Sequence, residues 1–162
     1  MQFLANEKKK ADNPKKEKYD LAVAYRICPR MPEKEMAVCP RDKLKLSEIC
    51  LRSFRESLGS LKVKMWVLLD NCPPEYGALF LKYFDEKNLK LIKLGGIGNQ
   101  ATFGLQLELL ANQKDSEIIY FVEDDYLFLP NQFAEMIYFL KFHSDVHFVS
   151  PYDHPDYYIA LR

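Results

Sequence analysis

From Tyr19 to Ser150 the chain alternates short runs rich in β-branched and aromatic residues with longer amphipathic stretches, and no hairpin is evident between them. The strand-like runs are "YDLAVAYRI" (19–27), "VKMWVLL" (63–69), "LKLIKL" (89–94), "EIIYFV" (117–122) and "VHFVS" (146–150). Between them, 42–59 places Leu46, Ile49, Cys50, Phe54 and Leu58 on one helical face, with Gly59 suited to a C-terminal cap. Further helices are expected from Pro74 to about residue 86, over 101–113 and over 131–143. Such alternation predicts an α/β domain built on a mostly parallel sheet, with helices on both faces. Ligands of open parallel sheets bind beyond the carboxyl ends of the strands, so the residues just after each strand belong together.

The most informative of these strand ends is "IIYFVEDDYLFLP" (118–130), where an apolar strand runs into Glu123, Asp124 and Asp125 and then turns apolar again. At ~5 Å and an effective dielectric of ~20, each pair of like charges costs about 3 kcal/mol. Along an extended chain Glu123 and Asp125 point one way and Asp124 the other. A divalent cation offsets such repulsion. Mg²⁺ or Mn²⁺ takes oxygen ligands, often one or two carboxylates with phosphate and water. A solvated acidic loop is the plainer alternative, but acids emerging from a core favour a metal-linked role.

Other strand ends carry weaker signals. Asp70, before Asn71, is suited either to accept hydrogen bonds from a base or ribose or to form a turn ahead of Pro73–Pro74. Tyr25 and Arg26 end the first strand; a ring stacks on a base and a guanidinium pairs with phosphate, and either residue equally suits ordinary surface. Gly96, Gly98 and Ala101 spell G-x-G-x-x-A between a strand and a helix, with Glu123 at the end of the next strand, which mimics a dinucleotide fingerprint. That fingerprint normally follows the first strand of its unit, and it gives no reason for the two extra acids. No P-loop motif occurs. His143 and His147 read as structural, and His154 as a loop residue after a strand end.

Composition narrows the classes. Formal net charge is zero, which argues against a general nucleic-acid binder. No apolar run approaches a membrane span, and the N-terminus has no signal-peptide core. Residues 1–18 read as a mobile, charged lead-in whose lysines suit weak contact with an anionic membrane surface. Cys28, Cys39, Cys50 and Cys72 form no C-x-x-C pair, and free thiols in a reducing, cytoplasmic setting are expected rather than zinc ligands.

With these residues in view, the segment from about 19 to 155 resembles the nucleotide-sugar-binding half of a GT-A glycosyltransferase. "FVEDDYLFLPNQFAEMIYFL" is similar to the E-D-D version of the DxD-type motif in N-acetylglucosaminyltransferases that process N-glycans. "YRICPR" loosely resembles the first-strand nucleotide contacts of galactosyltransferases, and "VLLDN" the second-strand acid of family-2 transferases. The resemblance implies a glycosyltransferase that uses a nucleotide-diphosphate sugar and Mn²⁺ or Mg²⁺, with a glycan, lipid or protein as acceptor. It implies that Asp125 binds the metal, that Asp124 and Glu123 contact ribose and donor sugar, and that Asp70, Tyr25 and Arg26 hold the nucleoside. Residues 19–162 are then one donor-binding domain whose acceptor part is short or missing, with Asp153 or Asp156 as the positional candidates for a base. A nucleotide-binding or interaction module without transfer is the main alternative. A nucleotidyltransferase is disfavoured because "YRICPRMPEKE" lacks the glycine- and lysine-rich loop of that class.

Overall fold

The computed structural model describes residues 19–30 and 42–151. The N-terminal segment 1–18, Cys39, Asp153, His154 and Asp156 lie outside the described residues. Four strands, β1 (Leu21–Ile27), β2 (Val63–Asp70), β3 (Leu89–Leu94) and β4 (Ile119–Val122), form one sheet in the order β3-β2-β1-β4. All three pairings are parallel, so the expected α/β class with a parallel sheet holds. The connecting helices are α1 (Lys43–Ser57), α2 (Pro74–Tyr83), α3 (Asn99–Asn112) and α4 (Gln132–Phe142), with a 3-10 turn at Glu86–Asn88 ahead of β3.

Strand parity divides the core between two faces. Leu21, Val23, Tyr25 and Ile27 of β1 point to one side, where they pack with Leu51 and Phe54 of α1 and its capping residue Leu58, Phe80 of α2, and Phe133 and Ile137 of α4. Phe54 is the aromatic centre of that layer, 5.4 Å from the rings of both Phe128 and Phe133. Ala22 and Ala24 point to the other side, where their small size lets α3 lie close; Leu110 packs there with Trp66. Helices therefore cover both faces, α1, α2 and α4 on one and α3 on the other. β1 and β2 are buried almost throughout, as a strand covered on both sides must be.

One expected strand does not form. Residues 146–150 make no ladder, and Phe148 stays exposed. A turn in which Val146 N–H donates to His143 O at 3.0 Å reverses the chain after α4. The chain then returns to the start of that helix, where Gln132 Nε2 donates to Pro151 O at 3.3 Å. The β-rich composition of "VHFVS" finds no neighbour to pair with, and strand propensity without a pairing partner is a weak force.

The ends of α1 follow their sequence signals. Asp42 Oδ1 accepts from Lys45 N–H at 2.9 Å as the N-cap. Gly59 takes φ +53° just past the C-terminus, as a left-handed cap requires. A Cβ there would meet Asn131 Oδ1 at 2.8 Å. Gly104, inside α3 with nothing within 4 Å, is the opposite case. Gly59→Ala is therefore expected to destabilise by about 1–2 kcal/mol and Gly104→Ala to stabilise by up to about 1 kcal/mol. Thermal denaturation should show melting temperatures moving in opposite directions, and shifts of the same sign would contradict this account of the two glycines.

Candidate functional site

In the order β3-β2-β1-β4 the chain runs outward from β1 through β2 to β3 and only then returns to place β4 on the other side of β1. The sheet's switch point is thus between β1 and β4, the expected place for a crevice. The ladders show it opening. β1 pairs with β2 as far as Ile27–Leu69, but with β4 only to Tyr25–Val122. At the fork the fully buried Gln106 of α3 donates through Nε2 to Ala24 O at 2.7 Å and Val122 O at 3.1 Å, satisfying carbonyls on both strands. Beyond the fork lies a cleft of about 390 Å³, lined by Arg26, Cys28, Arg30, Lys43, Asp70 and Asn71, by the Gly96–Asn99 turn, and by all three acids of the triplet.

The repulsion expected among those acids is offset largely by the protein itself. Arg26, which leaves β1 on the α3 side, places Nη2 2.7 Å from Glu123 Oε1. Its Nη1 donates to Asn99 O at 2.9 Å, and the guanidinium lies over the Phe103 ring. Lys43 Nζ is 2.9 Å from Asp124 Oδ2, which also accepts from Cys28 N–H at 3.4 Å. Asp124 is only 8% exposed. Burial raises its pKa; the Lys43 charge and hydrogen bond oppose the rise, and the neighbouring Asp125 adds to it. Asp125 is exposed to the cleft and has no ion pair or hydrogen bond among the described residues.

Asp70 does not form the turn ahead of Pro73–Pro74 that its position suggested; its carboxylate serves a turn 26–28 residues further along the chain. Its Oδ1 accepts from Gly96 N–H at 2.9 Å and Ile97 N–H at 2.8 Å, and its Oδ2 from Gly98 N–H at 3.0 Å. The carboxylate thereby staples the turn before α3, in which Gly96 (φ +81°) and Gly98 (φ +85°) adopt left-handed backbone. The same bonds bear on the dinucleotide motif, because three amides of its loop already serve Asp70. The loop also follows β3, an outer strand, rather than a strand at the switch point.

Tyr25 is not in the cleft. It is 0% exposed, with its ring 5.0 Å from Phe80 and 5.8 Å from Phe54, both edge-on. It faces the α1/α2/α4 layer, so it has no free face on which a base could stack. Burial, then the Asp124 charge, hold its hydroxyl well above the usual phenol range. The structure thus brings together Arg26, Asp70, Glu123, Asp124 and Asp125 and leaves Tyr25 in the core.

Lys43, Arg30 and Gln106 were not singled out by sequence. Lys43 carried a usable signal: a lysine at the first position of a helix opposes the helix dipole and needs a reason to be there. Arg30 lines the cleft and carries no ion pair among the described residues. Cys28 and Cys72 are free thiols, as expected. Burial pushes the Cys72 thiol up to about 12, and it donates to Ile27 O at 3.3 Å, which disfavours a nucleophilic role. No helix among the described residues is long and apolar enough to cross a membrane. No protein-family model matches the chain, and no curated protein does.

The raised pKa of Asp124 fixes a sign. The folded state holds that proton more tightly than the unfolded chain, so its stabilising effect is complete below the ordinary carboxylate value and is lost as pH rises through the raised one. Asp124→Asn removes this dependence. The stability of the parent relative to Asp124→Asn should therefore grow as pH falls from about 7 toward 4, read by urea denaturation across that range. A difference that shrinks over the same interval would show that folding lowers the Asp124 pKa instead.

Proposed function

We propose that the cleft binds the diphosphate of a nucleotide sugar together with Mg²⁺ or Mn²⁺, as the donor site of a GT-A-type glycosyltransferase. The observation that carries this reading is Asp125, the one acid of the triplet with no ion pair among the described residues, lining a cleft at the sheet's switch point. On this reading the cation is held by one carboxylate and completed by phosphate oxygens and water, the usual arrangement for Mg²⁺. When bound, the cation neutralises the diphosphate and stabilises it as a leaving group.

The chain's own residues supply the rest. Arg30, exposed and without an ion pair among the described residues, lines the cleft and on this reading meets a phosphate oxygen. Arg26 ties Glu123 to the start of α3 and so fixes one wall. Asp124 presents a carboxylate edge for a hydroxyl. Asp70 shapes the wall opposite by holding the 96–98 turn.

A second reading, nucleotide binding without sugar transfer, draws on one specific observation. Asp70, Glu123 and Asp124 are all engaged by protein donors, and Asp125 is assigned to the cation. That leaves no cleft carboxylate among the described residues that is both unpaired and unassigned, and so none to act as general base for an acceptor hydroxyl. Labelled UDP-, GDP- and dTDP-sugars offered with a panel of acceptors separate the two readings: multiple-turnover transfer supports the enzyme, and metal-dependent binding without turnover supports the module.

Both readings require the metal contact. Asp125→Asn keeps shape and removes the charge, and should lower Mn²⁺-dependent nucleoside-diphosphate affinity by about tenfold or more, about 1.4 kcal/mol. Isothermal titration of parent and variant in Mn²⁺ reads this directly. Equal affinities would remove Asp125 from the site.

A further inference from the structure

Lys43 stands where a lysine is electrostatically misplaced. It is the first residue of α1, whose free N–H groups disfavour a cation, and it is only 7% exposed. A buried ion pair is commonly no more stable than an apolar pair of similar volume, because both charges lose their water. Fold stability alone therefore gives no reason to keep Lys43 and Asp124 charged here. The pair does, however, set a geometry. Asp124 Oδ2 is fully occupied, by Lys43 Nζ at 2.9 Å and Cys28 N–H at 3.4 Å. Its Oδ1 has no partner among the described residues and is not one of the side-chain atoms sealed from solvent without a partner. One oxygen is thus held, by a helix and by the residue after β1, while the other is unpartnered among the described residues and not sealed from solvent, on a residue that lines the cleft.

We propose that Lys43 is a positioning residue: it fixes Asp124 so that Oδ1 accepts a hydrogen bond from a ribose hydroxyl of the bound nucleotide. This rests on the nucleotide reading above, in which Asp124 already meets a hydroxyl, and what it adds is the part of Lys43. Asp125 and Arg30 serve the metal–diphosphate, which carries no hydroxyl, and the Lys43–Asp124 pair serves the ribose. Because Lys43 belongs to α1, the start of that helix becomes part of ligand recognition rather than only a wall of the core.

The division gives a selective test. The full chain and its variants are titrated in Mn²⁺ with UDP, with GDP and with inorganic pyrophosphate, which keeps the phosphates and lacks the ribose. Lys43→Met should lower affinity for the tighter nucleotide by about tenfold or more and leave pyrophosphate affinity within about twofold. Lys43→Arg, which keeps the charge, should restore most of the nucleotide affinity. Asp124→Asn should reproduce the selective loss, and Lys43→Met added to it should change little further, because the two residues act through one contact. If Lys43→Met does not fold, as judged by thermal denaturation, Asp124→Asn decides the matter by the same ratio.

Equal losses for nucleotide and pyrophosphate would overturn the assignment and show that the pair merely supports the cleft or meets the phosphates. Unchanged nucleotide affinity in a folded Lys43→Met or Asp124→Asn would overturn it as well. A parent that binds pyrophosphate and nucleotide while the variants fail to discriminate leaves the donor-site reading standing. A parent that binds neither nucleotide overturns that reading, and the role of Lys43 falls with it.

Discussion

Two short ion pairs, Arg26–Glu123 and Lys43–Asp124, make it possible for three consecutive carboxylates to stand at the end of β4. Without them the acids would repel one another by several kcal/mol in a partly desolvated cleft. The cations come from two different places, the end of β1 and the start of α1. The acid loop is therefore tied to both elements that border it. Each pair also uses backbone: Arg26 holds Asn99 O, and Asp124 holds Cys28 N–H. Sheet, helix start and acidic loop are thus joined through charges that the cleft itself displays.

This arrangement changes what a metal ion is needed for. A bare triplet requires a cation to offset all three charges. A triplet with two internal counterions requires one only at Asp125. Under the proposed function, such a site suits a cation that arrives with its diphosphate better than one held in a preformed protein cage. The same partition separates the acids by role, because only a carboxylate free of protein partners can give both its oxygens to a ligand.

Much of the fold was legible because the chain's periodicities are strong. β1 to β4 and the four helices of the described residues lie within a few residues of where the apolar patterns put them, and of the helical face read as Leu46, Ile49, Cys50, Phe54 and Leu58 all are buried except Ile49, which is half-buried. The fifth strand was misjudged because composition cannot report whether a pairing edge is within reach. Tyr25 was misjudged for a related reason. In a parallel sheet covered on both faces, every strand residue looks alike in sequence, and which of two neighbours meets the cleft depends on parity. Arg26 falls on the α3 side and reaches Glu123, while Tyr25 falls among Phe54 and Phe80. The strand-end carboxylates were easier to find, since an acid that directly follows an apolar strand has few ways to avoid the sheet edge. What sequence withheld was their partners. Lys43 lies about eighty residues from Asp124, and no local pattern joins them.

The central claim, that Asp125 alone of the triplet is open to a metal–diphosphate, is tested most directly by locating the metal. Crystals grown with Mn²⁺ and a nucleoside diphosphate would be measured at a wavelength where manganese scatters anomalously. The account predicts one peak in the β1/β4 cleft, within coordination distance of an Asp125 oxygen, with Lys43–Asp124 and Arg26–Glu123 still paired. A peak held by Glu123 or Asp124 with either ion pair broken, or nucleotide bound away from this cleft, would contradict it.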